Sequence, residues 1–553
     1  MTIDGTAERR TRLTDHSTDH PADPATTARR LVAGLTADPL GRISPSVYET
    51  ARLVTLAPWL TGHSGRVFHL LAAQRADGHW VSAVPGYTVA PTLSATEALL
   101  GLLRAPGPWP PGVTRDQVAG AADRGLRALL PLLDGERSFP LPDMPAIEHL
   151  SPALIELVNG HLDVLEPWRD GPRLRPSPQM STGTAAVVRD MLRRGEPLPG
   201  KMLHALELAG PAARAAASVT PEPTGSIGAS PASVAAWLGD RDPGPGGRAR
   251  RFLESVTARH RGPVPSVVPI TVFERAWTVS WLARSGVPLH PPPELAAFLR
   301  ASLGPAGTGG GSGLPSDADT SSGVLYALSL LGIPHPPDFL WQYETDTHFC
   351  TWQGENGLSV GTNSHALEAF GSYLHGLEAS GTGVHRSATA EQVGRYAATI
   401  RKISAWLCEQ QQADGSWSDR WHASPYYGTA CAAPALAEFG GPESAAAVDR
   451  AVAWVLATQR PDGSWGLWEG TAEETAYAVR ILLLSRASDA RAVEAARRGG
   501  AYLRAVTRAD GTMMSFPPLW HDKDLYTPLT IVQAAVLAAL HLTRPGGPVP
   551  FTW

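Results

Sequence analysis

Two aspartates separated by one small residue, Asp317-Ala318-Asp319, and followed by Thr320 form the segment with the clearest chemical potential. A loop rich in glycine and proline precedes them, and an apolar run from Gly323 to Leu331 follows. This pattern places both carboxylates where a loop enters a helix, and an aspartate there can cap free backbone N–H groups. The other interpretation is acid chemistry, because a buried carboxyl beside a second carboxylate keeps its proton at neutral pH.

A repeated segment of the form Gln-x-x-Asp-Gly-x-Trp lies on both sides of these aspartates. It begins at Gln74, Gln411 and Gln459, and a degraded copy contains Asp510-Gly511. The Asp-Gly pairs that begin at 414, 462 and 510 are 48 residues apart, a period typical of helical or propeller repeats. Each copy lies between apolar stretches of helical length, and strand-like alternation is scarce. We therefore predict an all-α fold in which the Gln and Trp side chains connect neighbouring helices.

The second helix of each pair is rich in Ala, Ser, Gly and Thr. Helix pairs of this period either stack as an open solenoid or close into a double-ringed α/α barrel, and small residues favour a crowded inner ring. A chain of 553 residues is too long for one ordinary core. A segment rich in Pro, Gly and Arg at 212–265 therefore predicts a domain boundary, with one barrel at 44–264 and another at 265–553.

Composition excludes several classes of protein. The formal net charge of −5 gives no electrostatic footprint for nucleic acid or an anionic membrane. Three cysteines without close spacing cannot form a disulfide framework, which predicts a reducing, cytoplasmic location. No apolar run reaches the roughly 18 residues of a membrane span. Residues 1–23 lack the apolar region of a signal peptide and are predicted to be a disordered tail. The oligomeric state stays open between monomer and homodimer.

Further segments, in matching order along nearly the whole chain after residue 24, resemble the class II terpene cyclases. That family contains copalyl diphosphate synthases and their bacterial relatives, with hopene cyclases more distant. Glu49 stands where the family has Asp. The matching segments are 46–51 (SVYETA), 147–152 (IEHLSP), Leu203-His204, 230–233 (SPAS), 273–277 (FERAW) and 421–427 (WHASPYY).

The resemblance implies a didomain of two α/α barrels, named β and γ. In that arrangement residues 24–43 provide the first helix of the β domain and pack against the C-terminal barrel. Residues 44–264 form the γ domain, and residues 265–553 form the β domain with the acidic motif. The active site is expected in a deep apolar cavity between the two domains.

The resemblance also assigns roles at the acidic motif. The family motif is Asp-x-Asp-Asp, and its middle aspartate, the proton donor, corresponds to Asp319, while Thr320 replaces the last Asp. Asp317 is expected to raise the pKa of its neighbour, so that Asp319 protonates the terminal double bond of a prenyl chain. Asn363 matches an asparagine that orients this proton, although a helix N-cap is the alternative. His204 matches a histidine that holds a basic water, and Ser266 occupies the place of its asparagine partner.

Other residues are expected to bind the substrate. A carbocation is stabilised by aromatic faces. The aromatic candidates, each of which also fits plain core packing, are Trp277, Tyr326, Phe349, Trp352, Tyr426 and Tyr427.

Arg420 replaces a family lysine and is expected to bind the diphosphate, with Lys523 and Lys201 as weaker candidates. The resemblance implies Mg²⁺ bound with the diphosphate, and Glu148, Asp143 and Glu136 are the candidate ligands.

The implied activity is cyclisation of a linear prenyl diphosphate, either geranylgeranyl or farnesyl diphosphate, to a labdane- or drimane-type bicyclic diphosphate. No Asp-Asp pair occurs in the chain, so the motif that ionises diphosphates in class I enzymes is absent. Two alternatives stay open. One is a squalene-hopene-like triterpene cyclase, and the other is a non-catalytic α/α barrel that binds a lipid or a peptide.

Overall fold

The computed structural model describes residues 23–82, 84–106, 109–133, 140–355, 357–379, 389–486, 488–508 and 510–544. Regular structure in these ranges is almost entirely helical, as predicted, and the exception is a two-stranded hairpin. Apart from Asp23, whose carboxylate caps the first helix, the predicted tail at 1–23 lies outside the described residues.

The α-helices are, in chain order, α1 (Pro24–Gly34), α2 (Val47–Leu56), α3 (His63–Ala73), α4 (Pro85–Arg104), α5 (Arg115–Leu129), α6 (Ile147–Leu162), α7 (Thr184–Arg193), α8 (Pro231–Leu238), α9 (Arg248–Arg259), α10 (Thr271–Arg284), α11 (Pro293–Ser302), α12 (Ala318–Leu330), α13 (Val360–Ala379), α14 (Ala390–Glu409), α15 (Pro425–Phe439), α16 (Ala445–Ala457), α17 (Ala472–Ser485), α18 (Ala490–Val506) and α19 (Leu529–Leu542). The hairpin strands are β1 (Trp520–His521) and β2 (Leu525–Tyr526). Short 3₁₀ helices lie at Leu130–Leu132, Glu166–Trp168, Gly200–Ala213, Asp338–Tyr343 and Pro442–Ser444.

The later helices form a closed inner ring in which consecutive members touch: α10, α12, α13, α15, α17, α19 and again α10. Outside this ring, α11, α14, α16 and α18 pack against the inner helices, and α1 packs against α19 and α10 from the start of the chain. Inner helices such as α17 and α19 are buried on all sides, whereas the outer α14 and α18 bury one face. We call this unit the second barrel.

A smaller ring precedes it in the chain. Its inner members are α2, α4, α6, the 3₁₀ segment Gly200–Ala213 and α8, which returns to α2. Helices α3, α5, α7 and α9 pack around the outside. We call this unit the first barrel. Two α/α barrels are therefore present, as the fold prediction stated.

The repeated motif connects outer helices to each other. Gln411 donates from Nε2 to the carbonyl of Gly415 in its own turn at 2.8 Å, and to Ala447 in α16 at 2.8 Å. Trp417 donates from Nε1 to the carbonyl of Leu407 at 2.7 Å and is fully buried. The copies at Gln74 and Gln459 make the equivalent bonds. The predicted structural role of these residues is confirmed.

The glycine-rich loop before the two aspartates packs tightly against the start of α10. The Gly310 carbonyl accepts hydrogen bonds from the backbone N–H groups of Val272 and Phe273 at 3.1 and 3.0 Å. At Gly311 a Cβ atom would lie 2.0 Å from the carbonyl oxygen of Pro269. Only glycine permits this close approach, which brings the N-termini of α10 and α12 together.

The hairpin between β1 and β2 inserts into the first barrel. Asp524 at its tip accepts hydrogen bonds from Ser46 Oγ at 2.8 Å and from the Tyr48 backbone at 2.9 Å. Lys523 donates to Glu49 and Glu207, each at 2.7 Å. These buried contacts join the two barrels and fix the walls of the space between them.

Candidate active site

A cavity of about 350 Å³ lies between the barrels. This volume falls within the roughly 300–1,000 Å³ that is typical of small-molecule sites. The first barrel contributes lining residues from within 143–149 and 201–204. The second contributes others from within 267–273, 310–320, 351–355, 420–421 and 520–526. The aspartate motif therefore faces a cavity that both barrels enclose.

Asp317, Asp319 and Thr320 line this cavity at the N-terminus of α12. Asp317 is the N-cap residue; its Oδ1 accepts from the Thr320 backbone at 2.5 Å and its Oδ2 accepts from the Thr320 hydroxyl at 3.0 Å. Burial and the charge of neighbouring Asp319 raise the pKa of Asp317 to about 8. Asp317 therefore caps the helix, and its raised pKa lets the pair retain a proton at neutral pH, as the acid interpretation requires.

His365 is the side chain that contacts Asp319. Its Nδ1 donates to Asp319 Oδ1 at 2.8 Å, and it packs against the edge of Trp277 with ring centroids 4.7 Å apart. Burial by itself would lower the pKa of His365, but the Asp319 carboxylate outweighs this effect and, together with Cys431, raises that pKa well above its ordinary value. The sequence prediction missed this residue, although it lies in the segment that contains Asn363.

The predicted contact between Asn363 and Asp319 is wrong. Asn363 lies inside α13, where its Oδ1 accepts from the Phe349 backbone N–H at 2.9 Å. Its Nδ2 donates to the carbonyls of Phe349 and Ser359, both at 2.9 Å. The alternative N-cap role is wrong too, because Ser359 accepts from the Thr362 N–H at the helix start. Asn363 instead holds the loop that leads into α13.

His204 and Ser266 meet, as predicted, but they meet on Asp522. His204 Nε2 lies 2.8 Å from Asp522 Oδ1, and its Nδ1 lies 2.6 Å from the Gly228 carbonyl. Ser266 donates to the other carboxylate oxygen of Asp522. Burial opposes a charge on His204, but the Asp522 carboxylate outweighs burial and raises the pKa of His204. Both ring nitrogens face acceptors, so His204 is a cationic donor with no free lone pair.

Arg420 and Lys201 line one part of the cavity and lie against the ring of Trp352. Arg420 donates from Nη2 to Asp143 Oδ1 at 3.0 Å, and Lys201 contacts Glu355. Within the described part of the chain, Nε and Nη1 of Arg420 are buried without a hydrogen-bond partner. Such unpaired guanidinium donors suit an anionic ligand, because a buried donor without a partner is costly.

The third predicted phosphate ligand is wrong. Lys523 is fully buried and donates to Glu49, Glu207 and Ser230 Oγ, each at 2.7 Å. Asp522 and Lys523 lie in the turn between β1 and β2, where Asp522 faces the cavity and Lys523 enters the first barrel. The lysine is a structural ion-pair partner.

Most of the predicted aromatic residues lie behind the cavity wall. Of the six, Trp352 is a lining residue. The others pack within the second barrel, Trp277 on His365, Tyr326 beside Glu368, Phe349 on Phe370, Tyr426 on Trp454 and Tyr427 on Trp520. The aromatic lining residues that the prediction missed are Phe273, Trp421, Trp520 and Tyr526. Phe273 and Trp421 belong to segments that carried the family resemblance.

Asp143 and Glu148 both line the cavity, and Asp143 accepts a hydrogen bond from Arg420, whereas Glu136 lies outside the described residues. Glu148 approaches the ring of His149 at 3.2 Å. No group of three or more metal-ligating side chains occurs among the residues that the structure describes. Two carboxylates would nevertheless suit Mg²⁺ if phosphate oxygens of a ligand supplied further ligands, which is how Mg²⁺ is usually held.

Comparison with known proteins gives consistent matches. The family model for the squalene-hopene cyclase C-terminal domain matches residues 388–518. The ent-copalyl diphosphate synthase of a Streptomyces species (strain KO-3988) is 43% identical over 520 residues, which cover 94% of this chain and 96% of that protein. The labda-7,13-dienyl diphosphate synthase of Streptomyces clavuligerus is 39% identical over 531 residues, or 94% of this chain and 93% of that protein.

A solved structure matches the whole fold. The ent-copalyl diphosphate synthase from Streptomyces platensis has a TM-score of 0.86 at 43% identity, and the match covers 94% of this chain and 99% of that one. Within the described ranges, every helix is too short or too polar to cross a lipid bilayer.

Replacing Lys523 with Met is expected to destabilise the protein strongly, because Glu49 and Glu207 would stay buried without a cation. Breaking a buried ion pair in this way typically costs about 3–5 kcal/mol. Burial already raises the pKa of Glu49 to about 7, whereas Lys523 holds the pKa of Glu207 below its ordinary value against burial, so loss of the ammonium raises the pKa of both carboxyls. Folded carboxyls with raised pKa values lose stability as pH rises, so the deficit grows from pH 5.5 to pH 8.

The measurement is the melting temperature of Lys523→Met and wild type at both pH values. Lys402→Met is the matched control, since Lys402 forms a partly exposed pair with Glu344 at 2.6 Å and costs little when removed. Equal, small losses in both variants would refute the structural role of Lys523.

Proposed function

The chain belongs to the class II terpene cyclase family, and on that premise we propose that it cyclises a linear prenyl diphosphate by protonating its terminal double bond, with the diphosphate retained. The observation that carries this proposal is the pair Asp317 and Asp319 lining the cavity between the barrels, with the cationic ring of His365 bonded to Asp319 Oδ1. Asp319 Oδ2 remains to deliver a proton to the substrate.

The acid chemistry follows from the environment of the pair. Burial and the adjacent charge of Asp319 raise the pKa of Asp317 to about 8, so the pair holds a proton, which in this proposal reaches the substrate through Asp319 Oδ2. The proton binds to the CH carbon of the terminal double bond and leaves a tertiary carbocation, and the next double bonds of the chain supply electron pairs that close two rings. His365 stabilises the carboxylate that remains, since its N–H already points to Oδ1. A tertiary carbocation then ends the cascade by losing a proton.

The aromatic lining residues suit a cationic intermediate. Phe273 and Trp520 contact each other edge to face, with ring centroids 5.5 Å apart, and both line the cavity. Ring faces attract a cation without bonding to it covalently. They therefore stabilise positive charge while the chain closes.

Arg420 and Lys201 bind the diphosphate in this proposal. The two unpaired donors of Arg420 suit phosphate oxygens, and burial together with the charge of Arg420 lowers the pKa of Lys201, which a bound anion would reverse. This cationic cluster favours a prenyl diphosphate over squalene, which carries no anionic group. A pure lipid-binding barrel would have no use for the buried acid pair.

We further propose geranylgeranyl diphosphate as the substrate. Relatives that match almost the whole chain at 39–43% identity are named for copalyl and labdadienyl diphosphates, which have twenty-carbon skeletons. Farnesyl diphosphate, the shorter substrate, is the competing outcome of the experiment below.

We also propose that Mg²⁺ binds together with the diphosphate, held by Asp143 and Glu148 at the part of the cavity that contains Arg420. When bound, the ion neutralises phosphate charge. Within this chain, the two carboxylates orient the diphosphate end, and Arg420 ties Asp143 in place.

Wild-type protein is expected to convert geranylgeranyl diphosphate to a bicyclic product, and Asp319→Asn to lose at least about 10³-fold in turnover, because an amide has no acidic proton to deliver. Each prenyl diphosphate is incubated separately with Mg²⁺, the products are dephosphorylated, and the alcohols are analysed by gas chromatography–mass spectrometry. Asp462→Asn, in a repeat turn away from the cavity, is the control and retains turnover. Full activity of Asp319→Asn, or only linear alcohol from wild type, contradicts the proposal.

Arg420→Gln is expected to raise KM about 10–100-fold with a smaller effect on kcat, because charge-assisted hydrogen bonds of about 1.5–3 kcal/mol to the unreactive diphosphate are lost. Steady-state kinetics at saturating Mg²⁺ measure both constants. Arg491→Gln, on the exposed face of α18, is the matched control. An unchanged KM in Arg420→Gln would remove Arg420 from the binding site.

Glu148→Gln is expected to raise the Mg²⁺ concentration that gives half-maximal turnover about tenfold and to leave the product unchanged, because a carboxylate ligand is lost. Turnover is measured across a Mg²⁺ titration after the metal has been removed with a chelator. Glu166→Gln, also in the first barrel, controls for the loss of a surface charge. Full turnover without Mg²⁺ would refute the metal site.

A further inference from the structure

The hairpin that joins the barrels carries one carboxylate into the cavity. Asp522 is buried, lines the cavity and has both oxygens engaged, one with His204 and the other with Ser266. Burial alone would raise the pKa of Asp522, yet the His204 cation, the adjacent Lys523 and the Ser266 hydroxyl hold it below its ordinary value. An ionised carboxylate therefore faces a space that is otherwise largely apolar.

A cyclisation that begins with protonation must end with deprotonation. His204 has no lone pair for this task, because both of its ring nitrogens donate. His521 is neutral, since burial lowers its pKa to about 4, but its Nδ1 donates to the Arg420 carbonyl and its Nε2 faces the Tyr87 hydroxyl at 3.2 Å. Neither His204 nor His521 is therefore placed to take a proton from a carbon atom of the substrate.

The other carboxylates that line the cavity have different partners. Asp317 and Asp319 form the acid pair, and Asp143 and Glu355 contact Arg420 and Lys201. Glu148 lies 3.2 Å from the ring of His149 and is one of the two carboxylates proposed above to hold Mg²⁺. Among the described residues, Asp522 is thus the lining carboxylate that belongs neither to the acid pair nor to the carboxylates assigned to the diphosphate end.

We propose that Asp522 is the base that ends the cyclisation, and that His204 and Ser266 are positioning residues which orient its carboxylate. This inference rests on the proposed function. A C–H bond next to the tertiary carbocation breaks, its electron pair forms the product alkene, and the proton binds to a carboxylate oxygen of Asp522. The proton passes to solvent after the product leaves.

The hydrogen bonds explain why the carboxylate removes a proton and does not form an ester with the cation. Each oxygen already accepts one strong hydrogen bond, which lowers its nucleophilicity and leaves one lone pair for a small proton. The hairpin also limits its approach, because neighbouring Lys523 and Asp524 are fixed in the first barrel. The carboxylate therefore stays at the wall.

The test compares the products of Asp522→Asn and wild type from geranylgeranyl diphosphate after dephosphorylation. Wild type gives a bicyclic alkene with one hydroxyl. Without the base, water captures the cation, and the ratio of bicyclic diol to bicyclic alkene is expected to rise at least tenfold. Asp524→Asn is the matched control: Asp524 lies on the same hairpin and bonds Ser46 and Tyr48 without lining the cavity, so its product ratio stays that of wild type.

The outcomes separate the two proposals. Linear alcohol from wild type would refute the proposed function itself. An unchanged alkene yield and ratio in Asp522→Asn would overturn the role of Asp522, and so would a folded variant that gives only linear alcohol, since that result places Asp522 in initiation or binding.

If Asp522→Asn does not fold, Ser266→Ala tests the same inference. It removes the hydroxyl that lowers the pKa of Asp522, so the acidic limb of alkene formation is expected to move to higher pH. A wild-type pH profile of the alkene fraction in folded Ser266→Ala would overturn the proposal.

Discussion

The buried ion pairs of Lys523 hold the rest of the site in place. The Lys523 ammonium does not line the cavity. It joins Glu49 and Glu207 of the first barrel to the hairpin of the second barrel, and all three charged groups are buried. Such a cluster stabilises little by itself, because desolvation offsets most of the attraction, but it tolerates one arrangement only. The neighbours of Lys523 in the chain, Asp522 and Asp524, are therefore held in fixed positions by hydrogen bonds. Asp522 is the carboxylate that faces the cavity.

The site uses the same device at two places. A cationic histidine stands behind a carboxylate at Asp319 and again at Asp522, and each histidine has its second nitrogen engaged, with Cys431 or with the Gly228 carbonyl. The two carboxylates differ in the other polar groups that surround them. Asp319 has a second carboxyl next to it, which keeps a proton within the pair, whereas Asp522 has a hydroxyl and a nearby ammonium, which keep it ionised. In the proposed reaction one arrangement releases a proton and the other receives one.

Much of the architecture could be predicted because it depends on the spacing of motifs and the residue types along the sequence. The 48-residue spacing of the Asp-Gly turns and the small residues of the second helices predicted helix pairs around an inner ring, and the segment at 212–265 predicted the division into two barrels. The position of the acid motif at the start of a helix could be predicted because Asp317 caps α12 and Asp319 lies in the first turn of the same helix. The orientation of single side chains could not be predicted in the same way. Asn363 and His365 are two positions apart, about 200° around a helix, so one faces a loop and the other faces Asp319. Asp522 and Lys523 are adjacent, and only the register of the hairpin decides which one faces the cavity.

The contact of α1 with α19 has a consequence for the order of folding. During synthesis the first barrel emerges complete before any inner helix of the second, and its ring can close as it leaves the ribosome. Helix α1 emerges earlier still, but its partners α10 and α19 come from more than two hundred residues later in the chain. Its apolar side, which includes Ala28 and Val32, stays uncovered until the last helix has been made. The first helix of the chain is thus among the last to dock.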